Sequence, residues 1–149
     1  MPNETLNILE IKGNKHDIDN FINSHTVFHN DTKYWDFEVS VPINHDLYIK
    51  NKNNALFSSK LNNIKKKYWG TTRGIIIETT DNVIKIETPW TSCNQWFKTM
   101  IKKYPNLNFV LKYNDEFGEE FYGWEVSYNS KIIASDIINL RNYNDIDNK

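Results

Sequence analysis

The sequence predicts an α+β sandwich: an antiparallel sheet with helices on one face, built around a split βαβ core and extended by a C-terminal hairpin. Three observations lead there. Strand-like alternation occurs near both ends of the chain, amphipathic helical stripes separate the strands, and neither a glycine-rich phosphate loop nor regular parallel alternation is present.

Leu6, Ile8 and Glu10 alternate with Asn7, Leu9 and Ile11 ahead of Gly13, which reads as a strand buried on much of both faces. Asn14 is placed to cap a helix. Asp17 then falls at the third position, where the helix dipole favours a carboxylate, and Ile18, Phe21 and Ile22 form one apolar stripe. Tyr34 to Val41, YWDFEVSV, alternates as a strand closed by Pro42, and residues 41–54 read as an inserted loop. From Ala55 the spacing of Leu56, Phe57, Leu61, Ile64 and Tyr68 is helical; Lys66 and Lys67 suit the negative end of the dipole, and Gly70 supplies the stop.

Gly74 to Thr80 and Val83 to Thr88 flank Asp81-Asn82, a pair that tolerates positive φ and predicts a tight hairpin. Thr91 or Ser92 is positioned to cap the next helix, whose buried side carries Cys93, Trp96, Phe97, Met100, Ile101 and Tyr104 before Pro105 ends it. Leu107, Phe109, Leu111 and Tyr113 alternate as a strand. After an acidic turn from Asn114 to Glu120, Tyr122, Trp124, Val126 and Tyr128 share one face of another strand, and Asn129-Ser130 turns into Lys131 to Ala134. The tail from Asp136 reads as a short helix or as loose chain.

At 149 residues the chain fits a single domain spanning 1–149, with 136–149 as its tail, able to bury a core without disulfides or metal. The lone Cys93 excludes an internal disulfide and predicts an intracellular, cytoplasmic protein. No basic, apolar leader and no run approaching the ~18 apolar residues of a membrane span is present, so no membrane role is expected. Lys plus Arg number 18 against 19 Asp plus Glu, which removes any global pull toward nucleic acid.

The stretch Lys65 to Gly74, KKKYWGTTRG, carries the most suggestive chemistry, since lysines, aromatics and an arginine can grip phosphates and stack a base. The lysines are explained by the end of a helix. If Thr80 pairs with Val83, Arg73 comes opposite Trp90, next to the start of a helix. Trp69, Thr71, Arg73 and Trp90 then form a rim at one end of the sheet, with the acidic turn residues Asp115, Glu116, Glu119 and Glu120 at the same end, about three strand spacings (~14 Å) away. A rim of mixed charge suits a protein partner better than a uniformly negative polymer. His16, His25, His29 and His45 lack a carboxylate-bearing helix to complete a metal site, and Cys93 falls on an apolar helix face as an unreactive thiol. No cofactor, metal or catalytic residue is predicted.

MPNETLNILEIKG, WDFEVSVPIN, YWGTTRG and TPWTSCNQWFKTMIKKYPNLNFVLKYNDEFGEEFYGWEV, in that order, resemble segments of the YubB ferredoxin-like family of phages and conjugative plasmids. The resemblance departs at Glu4-Thr5, Arg73-Gly74 and Ser92-Cys93. It implies a ferredoxin-like fold and a mobile-element origin, and it brings no reaction or catalytic residues. The expected function is that of a non-enzymatic accessory protein binding a host protein, with inhibition of a bacterial defence system such as CRISPR-Cas as the specific expectation. The alternative is a single-stranded nucleic-acid or nucleotide binding module using Lys65 to Lys67, Trp69 and Arg73.

Overall fold

In the computed structural model, which describes residues 3–43, 55–116 and 121–139, the first strand β1 (Glu4–Lys12) lies near the middle of the sheet. Its alternation sorts the two faces. Thr5, Asn7, Leu9 and Ile11 are buried, whereas Leu6, Ile8 and Glu10 are half-buried on the other side. Helix α1 (Lys15–His25) starts where Asn14 Oδ1 accepts the Asp17 N–H at 2.9 Å, and it turns Ile18, Phe21, Ile22 and His25 inward.

Next come β2 (Thr26–His29), β3 (Thr32–Trp35), a 3-10 turn over Phe37–Val39 and helix α2 (Ala55–Trp69). They are followed by β4 (Ile75–Thr79), β5 (Val83–Pro89), helix α3 (Asn94–Met100) and a 3-10 turn over Ile101–Lys103. The last strands are β6 (Asn108–Asp115), β7 (Phe121–Tyr128) and β8 (Lys131–Asn139). All strands join one antiparallel sheet in the order β2-β3-β4-β5-β1-β6-β7-β8. This is the expected α+β arrangement, with β1 held between β5 and β6, and β7–β8 as the extra hairpin.

The helices cover one face. Phe21 of α1 packs 5.1 Å from Phe109, Phe97 of α3 packs 6.2 Å from the same ring, and Trp69 of α2 packs 5.5 Å from Phe37. With Leu9, Ile11, Ile84, Ile86 and Leu111 beneath them, these rings form one continuous core. On β7 only a glycine fits at 123. The Tyr113 ring of the neighbouring strand lies over it, and an added Cβ would come within 2.7 Å of the Tyr113 hydroxyl.

Several local expectations are corrected. YWDFEVSV is not one strand: β3 ends at Trp35, the Asp36 carboxylate accepts the Glu38 N–H at 3.0 Å, and the chain turns so that Phe37 enters the core. A further hairpin, β2–β3, precedes it, because Asn30 and Asp31 adopt φ of 48° and 66°, the double positive φ of a tight hairpin turn. In α2, Tyr68 is exposed and Trp69 takes the buried position. Neither Thr91 nor Ser92 caps α3; Cys93 occupies that position without a side-chain bond, and the two hydroxyls are committed elsewhere. Asp136 to Asn139 continue β8 instead of forming a helix or loose tail. Residues 44–54, which include His45 and most of the expected loop, and residues 140–149 lie outside the described residues.

Candidate functional site

The expected rim is partly assembled. Glu4 pairs with Pro89 and Thr5 with Asp115, so the ends of β5, β1 and β6 meet, and the acidic turn begins two strand spacings, ~10 Å, from Trp90 and not three. Arg73 Nη2 lies 4.0 Å from Glu4 Oε1. Trp90, 58% exposed, stands at φ 66° with its N–H donated to the Asn3 carbonyl.

Other predicted members do not face solvent there. Trp69 is buried and donates its indole N–H to the Val41 carbonyl at 2.8 Å, and Thr71 is buried with its hydroxyl 3.4 Å from the Arg73 carbonyl. The predicted pairing of Arg73 with Trp90 also fails. Glu78 faces Lys85 as a two-residue turn dictates, but Ile77 bulges out, Ile76 faces Ile86, and the ladder is one position out of step by Ile75 and Glu87. Glu116 is exposed, and Asp115 accepts the Phe121 N–H at 3.3 Å; Glu119 and Glu120 lie outside the described residues. Arg73, Glu4, Trp90, Asp115 and Glu116 therefore make up the described rim, while Trp69 and Thr71 are buried and do not belong to it.

Sequence reasoning misses the surface next to it. β7 is inverted relative to the usual sorting of side chains: Gly123, Glu125 and Ser127 turn toward the helices, while Tyr122, Trp124 and Tyr128 are 47%, 37% and 54% exposed. The alternation is visible in the sequence, but which side the helices cover is not. Directly paired residues continue that exposed side across the sheet. One row runs Val27, Tyr34, Ile75, Glu87, Leu6, Asn114, Tyr122, Ile138, and the next runs Glu78, Lys85, Ile8, Lys112, Trp124, Asp136. Trp124 thus lies between a cation and an anion, and Lys85 is 2.9 Å from Glu78. The face is aromatic and apolar with charges of both signs.

The inverted side of β7 has a physical cost. Glu125 Oε1 lies 3.7 Å from Lys98 Nζ of α3, Oε2 is buried without a hydrogen-bond partner, and burial pushes the carboxyl up from its ordinary range. Ser127 is better satisfied, since its hydroxyl accepts the Phe109 N–H at 3.1 Å. Burial likewise pushes the Cys93 thiol up to about 12, so it is a poor nucleophile. Among the described residues no cluster of His, Cys, Asp and Glu is arranged to hold a metal, and no helix is long and apolar enough to cross a membrane.

His25 is fully buried, stacked 4.9 Å from Trp35, with Nδ1 donating to the Phe21 carbonyl at 2.7 Å and Nε2 placed 2.9 Å from Ser40 Oγ. Trp96 Nε1 donates to the same Ser40 oxygen, and the serine proton can then be given to Nε2 of a neutral His25. Burial lowers its pKa, opposed by the Phe21 carbonyl and by Asp36. Below the ordinary value of 6.5 the unfolded chain therefore takes up a proton that the folded chain refuses. Stability should fall as pH drops, by up to about 1.4 kcal/mol per pH unit, until the folded pKa is reached. Urea unfolding from pH 7 to 5 should show this loss, and His25→Gln should reduce it; equal slopes in the two proteins would contradict the assignment.

A family model described as the ferredoxin-like domain in Api92-like protein matches residues 67–149, more than half of the chain. The chain belongs to that family. The Api92-like ferredoxin-like domain thus takes in everything from the end of α2 through β8, including the rim residues after Trp69 and the aromatic side of β7. No curated protein and no solved structure shows significant similarity to the chain.

Proposed function

We propose that this Api92-like domain is a non-enzymatic binding protein that engages another protein through the open sheet face and the adjoining rim. The observation that carries the reading is the inversion of β7, which buries a carboxylate and exposes three aromatic rings. An aromatic-rich patch edged by charge is the composition of protein-binding surfaces. Glu78, Glu87, Glu10 and Asp136 share the face with Lys85 and Lys112, which favours a partner of mixed charge over a uniformly negative polymer. The resemblance to the YubB family supports a phage or plasmid origin, a host protein in the bacterial cytoplasm as partner, and interference with a defence system such as CRISPR-Cas.

The test is capture from bacterial lysate with wild-type and Trp124→Ala baits. Trp124 stands on the open face at 37% exposure between Lys112 and Asp136, so its removal should cost on the order of 1 kcal/mol of stability while lowering the retained partner at least about tenfold. Equal retention by both baits, or no change in any defence activity on expression, would sink the reading.

A second reading, single-stranded nucleic-acid binding, rests on Tyr122, Trp124 and Tyr128 sharing a face with Lys112. The stacking role expected of Trp69 passes in this reading to Trp124, because Trp69 is buried. It requires a complex at low salt that dissociates steeply as salt rises, and a gel-shift without a complex removes it.

A further inference from the structure

We infer that the cleft at the seam between β3 and β4 is a binding site for a small aromatic carboxylic acid. The two strands share a single residue pair, Tyr34 with Ile75. Beyond it the Trp35 N–H donates to the Gly74 carbonyl at 3.0 Å, and the chain then turns away at Asp36. The cleft left at this seam has a volume of about 310 Å³, room for a substituted benzene ring, and Val27, Tyr34, Phe37 and Trp69 give it an aromatic and apolar wall.

Two donors among the lining residues call for an acceptor. The other buried tryptophans are satisfied: Trp69 Nε1 donates to the Val41 carbonyl at 2.8 Å and Trp96 Nε1 to Ser40 Oγ at 2.9 Å. Trp35, which lines the cleft, is 2% exposed with its ring stacked on His25, and its Nε1 has no hydrogen-bond partner. A buried N–H left unpaired costs stability, which an entering acceptor restores. The second donor is the half-exposed Arg73 guanidinium, whose contact with Glu4 at 4.0 Å is too long for a hydrogen bond. A carboxylate on a flat apolar body serves both donors, and its bond to the arginine is charge-assisted. Asp36 lies on the same wall, with its carboxylate already accepting the Glu38 N–H, and it limits the charge the cleft accepts. Arg73 balances one negative charge there, whereas a doubly charged phosphate is repelled by Asp36. The site needs no protein partner and involves neither Trp124 nor the rest of β7, so it stands independently of the binding proposed for the open face.

Nuclear magnetic resonance of the isotope-labelled full chain tests it, with benzoate as the probe and one indole N–H signal followed for each tryptophan, five in all. The Trp35 signal should move downfield and saturate with a Kd on the order of 1 mM, as befits so small a ligand, while the Trp124 signal on β7 stays in place. Arg73→Gln, a half-exposed position, should weaken benzoate at least about tenfold with the other indole signals unchanged. Phenyl phosphate should bind the wild-type chain at least about tenfold more weakly than benzoate does. A Trp35 signal that stays put, or drifts without saturating, overturns the inference. So does an Arg73→Gln variant that binds benzoate like the wild type, and so does phenyl phosphate that binds as tightly as benzoate.

Discussion

Asn7→Ala should destabilise the protein by about 3 kcal/mol or more, lowering Tm by roughly 10 °C, although it removes only a small polar side chain. Asn7 lies fully buried in β1, where a strand this central would ordinarily carry an aliphatic residue. Its amide nitrogen donates to the Thr88 hydroxyl at 2.8 Å and to the Ile86 carbonyl at 3.1 Å. Its oxygen accepts the Ser92 hydroxyl at 2.7 Å and the Cys93 N–H at 3.3 Å. One side chain therefore ties β1 to β5 and to the segment that enters α3. Removing it leaves the Ser92 hydroxyl and the Cys93 N–H without this partner in a dry site, and each loss costs about 1–3 kcal/mol. Asn7→Leu should fare no better, because the added methyl groups satisfy neither. Ser92→Ala removes one bond and should cost only about 1 kcal/mol. Urea unfolding measures all three, and an Asn7→Ala loss below that of Ser92→Ala would refute the assignment.

Asn7 also marks where the sequence is legible and where it stops. The alternation of β1 identifies Asn7 as facing the same way as Leu9 and Ile11, and the β4–β5 hairpin, the Asn14 cap and the Gly70 stop all follow from local chemistry. What a single strand cannot disclose is which of its faces the helices will cover. For β1 the sequence reads as buried on much of both faces, Leu6 and Ile8 opposing Leu9 and Ile11, and it is the Asn7 side that the helices cover. For β7 the aromatic side suggests burial, and it is the polar side that is buried, because Gly123 must accept the Tyr113 ring and Glu125 must meet Lys98. Register is similarly nonlocal: one bulged residue, Ile77, undoes the predicted pairing of Arg73 with Trp90 without any mark in the hairpin turn itself. Trp69 stands out in the sequence for its neighbours in the chain, yet its partners are Phe37 and the Val41 carbonyl, some thirty residues away.

Gly70→Ala should cost about 3 kcal/mol or more, and two separable causes contribute. The residue sits at φ 85° just past α2, where its N–H closes the helix by donating to the Lys66 carbonyl at 2.9 Å. An L side chain in that left-handed region costs about 1–2 kcal/mol by itself. Steric contact costs more, since an added Cβ would lie 2.5 Å from the Ser92 carbonyl oxygen, a backbone atom that cannot rotate aside. Gly70→Asn distinguishes the causes. Asparagine tolerates positive φ, so it should recover about 1 kcal/mol relative to alanine if strain matters, while the remaining loss reports the clash. The same backbone is held from the other side by Asn7 through Ser92 and Cys93, and the Thr91 hydroxyl donates to the Gly70 carbonyl. Moving the 91–93 segment to relieve the clash thus already breaks part of the Asn7 network. The double variant Asn7→Ala, Gly70→Ala should accordingly lose at least about 1 kcal/mol less than the two single losses combined. Strict additivity in urea unfolding would mean that the two sites hold the start of α3 independently, and that the shared-segment account is wrong.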